Sequence, residues 1–97
     1  MHEVIYHPDA EYEFLESAKY YELQCIGLGY KYMFSVDNAV QDIISHPQAW
    51  QIVERDIRRH QTKHFPYGIY YRILPDHIRI LAVAHLHRDP DYWKTRK

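Results

Sequence analysis

Tyr67, Ile69, Tyr71 and Ile73 alternate with Gly68, Tyr70 and Arg72, a period of two that belongs to a β-strand. A turn at Leu74-Pro75-Asp76-His77 follows, and then the most apolar run of the chain, Ile78 to Leu86. A regular strand there would place Ile78, Ile80, Ala82 and Ala84 on one face, and Arg79, Leu81, Val83 and His85 on the other. Both faces are largely apolar, so this strand is expected inside a sheet, beneath helices. The rest of the chain must therefore supply a cover.

The first half has the periodicity to do so. Val4-Ile5-Tyr6 is β-prone and closed by His7-Pro8, which predicts a first strand from Glu3 to His7. Pro8 suits a first helical turn, where its missing N–H costs nothing, and Asp9, Glu11 and Glu13 favour the positive end of the helix dipole. Ala10, Phe14, Ala18, Tyr21 and Cys25 then recur at three- and four-residue steps, up to a turn at Gly27-Leu28-Gly29. On that stripe Cys25 is expected to be a small buried filler. Met33, Val36, Val40, Ile43 and Ile44 mark a second helix, stopped at His46-Pro47. Ile52 to Arg59 reads as one further strand, interrupted by charge. The expected architecture is α+β: an N-terminal strand and an α-helical hairpin packed on a small, mainly antiparallel β-sheet. It forms one domain over residues 1–97, since a chain of 97 residues holds one core and shows no repeat or linker.

Composition narrows the class. Hydrophobic residues at 46% and charged residues at 26% exclude a disordered chain. No apolar run is long enough to cross a membrane, and Met1-His2-Glu3 does not begin like a signal peptide. A single cysteine forms no internal disulfide, so the expected setting is the cytoplasm. The net charge of −1 hides a split. Residues 1–50 carry two basic against eight acidic side chains, and residues 51–97 ten against five. Either the basic half faces a polyanion or an acidic partner, or the two halves neutralise each other internally.

Eight histidines raise the question of a metal. His60 and His64 are four apart, and His85 and His87 two apart, but neither pair is accompanied by the further ligands that zinc requires. No metal and no cofactor is expected. The other chemistry-bearing set is Arg58, Arg59, Lys63, Arg72, His85, Arg88, Tyr92, Trp93 and Arg96. Cleaving RNA through its 2′-hydroxyl needs a base, an acid and cations on the phosphate oxygens. Histidine, tyrosine and arginine are residues of that type, and aromatic rings stack on unpaired bases. Tyr92 and Trp93 have a packing alternative, in which the pair folds back to close the core.

The same residues carry a resemblance. Phe65-Pro66-Tyr67-x-Ile69-x-Tyr71 and His85-x-x-Arg88-x-Pro90-x-Tyr92-Trp93, after a strand and a helical hairpin, resemble the RelE/ParE toxins of bacterial type II toxin–antitoxin modules. Ala10 with Glu13, Ala18 to Tyr21, and Gly27-Leu28-Gly29 fit the same pattern, so it covers nearly the full length. The resemblance implies a growth-inhibiting, plasmid-stabilising protein neutralised by a cognate antitoxin whose tail wraps around the helices and sheet. One branch of the family cleaves mRNA on the ribosome; the other inhibits DNA gyrase and lacks the nuclease residues. Carried over, the first branch would use Arg59, Arg88, His85 and Tyr92 catalytically, with Arg58, Lys63, Arg72, Trp93 and Arg96 contacting the target. Gly68 stands where RNA-cutting members often place an arginine, with Arg72 on the same strand face. The expectation is thus a toxin that binds a macromolecular target such as DNA gyrase. The alternatives are a ribosome-dependent mRNA endoribonuclease and an inactive module that only binds antitoxin.

Overall fold

The computed structural model describes residues 3–88 and 91–97, so Met1, His2, Asp89 and Pro90 lie outside the described residues. Strand β1 (Glu3–Tyr6) runs into helix α1 (Pro8–Gln24) through His7, whose ring nitrogen accepts the Asp9 N–H at 3.0 Å as an N-cap. Helix α2 (Leu28–Ser45) begins inside the glycine turn. Gly27 adopts φ +89°, a left-handed conformation that side chains disfavour. Glu22 then caps the new helix, its carboxylate accepting the N–H groups of Gly27 at 2.9 Å and Gly29 at 3.0 Å. Gly29 serves a different purpose. A Cβ there would lie 2.6 Å from the Ala18 carbonyl oxygen, so only glycine lets the two helices approach this closely.

One expectation fails at the same place. Cys25 is exposed, because α1 ends at Gln24 and Cys25 takes an extended conformation that leaves the helical stripe. The remaining stripes bury as their spacing requires. Ala10 and Ala18 of α1 meet Tyr32, Val36, Ala39, Val40 and Ile43 of α2, with Phe14, Tyr21, Met33 and Ile44 packed around them.

Four strands follow: β2 (Gln51–Glu54), β3 (Ile57–Gln61), β4 (Tyr67–Ile73) and β5 (His77–His85). The sheet order is β1-β5-β4-β3-β2, with β1 parallel to β5 and every other pair antiparallel. This is the expected α+β architecture with two corrections. The single strand expected from Ile52 to Arg59 is a hairpin, reversing at Arg55 and Asp56 with Arg55 at φ 53°. The faces of β5 also exchange midway. Tyr70 pairs with Ala82 and Tyr71 with Ile80, so Leu81 is an extra residue and the strand bulges. Ile78, Ile80 and Val83 consequently face the helices, while Leu81, Ala82 and Ala84 face the other side.

Two cores result. The larger lies between hairpin and sheet and takes in Tyr67, Ile69 and Tyr71 of β4. The smaller lies on the opposite face, where Trp93 covers Ile57, Tyr70, Leu81, Ala82 and Ala84. Its indole stacks on Tyr70 with ring centroids 4.4 Å apart.

Candidate functional site

The end of β5, the C-terminal segment and the first turns of α1 meet around one carboxylate. Glu13, with its side chain only 10% exposed, accepts Arg96 through both oxygens at 3.1 and 3.0 Å. The backbone N–H of Val83, two residues past the bulge, donates to the same carboxylate at 3.2 Å. Arg88 approaches it at 3.9 Å. The Tyr92 ring lies against both cations, 4.0 Å from the Arg88 guanidinium carbon and 4.8 Å from that of Arg96. Burial, reinforced by the nearby Glu13 charge, pushes the Tyr92 hydroxyl far above the ordinary phenol range. A hydroxyl so reluctant to ionise is a poor base at neutral pH. Beside the cluster opens a cavity of about 350 Å³ lined by Tyr67, His85, Arg88 and Arg96, with Asp9, Glu13 and Glu16 among its other walls.

The family model for the ParE toxin of the type II toxin–antitoxin system, parDE, matches residues 4–90. The chain belongs to the ParE toxin family. Its fold is similar to a solved chain titled as the chromosomal ParDE TA system from P. aeruginosa, with TM-score 0.65 and 14% identity. That match covers 90% of this chain and 98% of the other. No curated protein matches the sequence.

Within this ParE-family chain the sequence-derived site residues separate. His85, Arg88, Tyr92 and Arg96 come together, and His85 Nδ1 accepts the His87 N–H at 3.1 Å. Arg59 stands apart on β3, across β4 from β5. It shares no hydrogen bond, ion pair or ring contact with those four among the described residues. Its aliphatic stem instead lies over Gly68, where a Cβ would come within 3.1 Å of Arg59 Cδ. A side chain at position 68 would have to displace the Arg59 stem by a few tenths of an ångström. Arg58 donates to the carbonyls of Gln48 at 3.0 Å and Trp50 at 2.8 Å, tying β3 to the turn after α2. Arg72 pairs with Asp56 of the β2–β3 turn at 3.0 Å. Trp93, read from the sequence as a target contact, is 3% exposed and belongs to the smaller core, so the packing alternative describes it.

The histidines are placed structurally. His60 pairs with Asp42 of α2 at 3.0 Å and stacks on Trp50 at 3.7 Å. Among the described residues no three His, Cys, Asp or Glu side chains are grouped to hold a metal. No helix is long and apolar enough to cross a membrane.

Lys63 belongs to a second feature that no sequence pattern marked. A groove of about 890 Å³ runs between the outer side of α2 and the segment before β4. Its apolar lining includes Tyr30, Phe34 and Phe65, and its rim Lys31, Lys63 and His64 against Asp42. Phe34 is 68% exposed, an apolar side chain without cover. Glu13 was missed as well. Its signal was its position, three residues after Ala10 and next to Phe14 on a stripe otherwise apolar.

Proposed function

We propose that this ParE-family chain inhibits growth by binding a macromolecular target, DNA gyrase, and does not itself cut RNA. One observation carries the reading: the nuclease candidates do not converge, since Arg59 sits apart on β3, Arg88 lies 3.9 Å from the Glu13 carboxylate that also holds Arg96, and the Tyr92 hydroxyl resists ionisation. Cleavage needs free cations and titratable groups around one phosphate. Binding needs only a complementary surface. The test is a gyrase supercoiling assay titrated with purified protein. Loss of supercoiling is expected. Unaffected supercoiling at large excess, together with new mRNA 5′ ends that appear only when ribosomes are present, would replace this reading with the nuclease.

The family's antitoxin fits the α2 groove in this proposal. Aromatic side chains at its base and lysines on its rim suit an amphipathic segment with acidic residues on its polar side. Such a segment supplies both the apolar cover that Phe34 lacks and the countercharge for Lys31 and Lys63.

A further inference from the structure

We infer that Glu13 is a built-in stand-in for an external oxyanion: its carboxylate occupies a phosphate site formed by Arg96, Arg88 and the Val83 amide. The inference does not depend on which target the toxin binds. Three observations support it. Three donors converge on one small buried anion, two from Arg96 at 3.1 and 3.0 Å and one from the Val83 backbone at 3.2 Å, and the Arg88 guanidinium adds its charge at 3.9 Å. Paired guanidinium and backbone N–H donors are the usual means of holding phosphate. Two guanidiniums share one carboxylate, and the Tyr92 ring between them offsets their mutual repulsion. The adjoining cavity of about 350 Å³ is lined by Arg88, Arg96 and His85 among others, with room for a phosphate group.

Acidic residues that line the same cavity explain why the site stays closed. Asp9 lies 3.9 Å from Arg96, and Glu16, paired with Lys19 at 3.2 Å, also lines the cavity. Their field repels an incoming anion while Glu13 is charged and in place. Closure is thus a property of α1. A partner that draws Glu13 away from the tail leaves two arginines and a backbone donor facing the cavity.

The experiment titrates inorganic phosphate into the full chain and follows the Arg88 and Arg96 Nε–H and Val83 N–H signals by ¹H–¹⁵N NMR. Wild type is expected to be nearly silent. Glu13→Gln should bind phosphate about tenfold more tightly or better. Glu11→Gln, which removes one exposed charge from the same helix, should behave as wild type. Adding Arg96→Gln to Glu13→Gln should abolish the gain. Equal titration of Glu13→Gln and Glu11→Gln, or a gain that survives the loss of Arg96, would overturn the inference. If Glu13→Gln does not fold, Glu13→Ser, which removes the charge and leaves space at the arginines, takes its place under the same criteria.

Discussion

Gly27 and Gly29 stand two positions apart and meet different demands, one of conformation and one of space. Alanine at Gly29 must move the Ala18 carbonyl, a rigid backbone atom, and is expected to cost about 1–3 kcal/mol, as overpacking does. Alanine at Gly27 meets nothing within 4 Å and bears only the left-handed penalty, about 1 kcal/mol. Urea denaturation of the two variants checks the order, and a larger loss at Gly27 would contradict it. Tyrosines make a second prediction at this scale. Burial raises Tyr6 and Tyr71 from the ordinary value near 10 to about 12. A group held protonated in the folded state stabilises it fully below the unfolded pKa, and that contribution fades as pH climbs through the folded one. Stability should therefore fall between pH 10 and 12, with phenolate absorbance and loss of far-ultraviolet dichroism rising together. The glycine turn was legible because Gly-Leu-Gly interrupts two helical stripes. The role of Glu13 was not, because a carboxylate near a helix N-terminus already has an ordinary explanation in the helix dipole.

Among the elements, the helices were readable from periodicity because each buries one stripe, and β4 from its strict alternation, with Tyr67, Ile69 and Tyr71 in the larger core and Tyr70 in the smaller. β5 was readable as a strand, but its faces were not. With apolar residues on both faces, a one-residue bulge at Leu81 changes which of them meets the helices without leaving a trace in the pattern. The β2–β3 hairpin was hidden because Arg55-Asp56 is not a usual turn pair, and Arg55 takes φ 53° without a glycine. The C-terminal segment is the element whose removal tells most. Trp93 is the largest side chain of the smaller core, so Trp93→Ala should lose about 3–5 kcal/mol, measured by thermal or urea unfolding. A loss below 1 kcal/mol would show that the lower face of the sheet tolerates water.

Across the whole molecule, part of the charge split is resolved internally. Glu13 with Arg96 and Arg88, and Asp9 with Arg96, set charge of the acidic half against the basic half. Lys31, Lys63 and His64 line the groove proposed above for the antitoxin. Phe34→Glu should therefore lower antitoxin affinity about tenfold or more by calorimetry, while leaving the melting temperature nearly unchanged, since Phe34 is 68% exposed. An unchanged affinity would move the antitoxin off this groove. The parallel pairing of β1 with β5 has a bearing on synthesis. The first strand made waits for almost the last, and β5 is also the floor on which α1 packs. A nascent chain that stops before His77 holds a strand without a neighbour and a helical hairpin with half its floor missing. Folding of the complete sheet becomes possible only near the end of translation, so a product truncated before His77 lacks the strand that joins β1 to the rest.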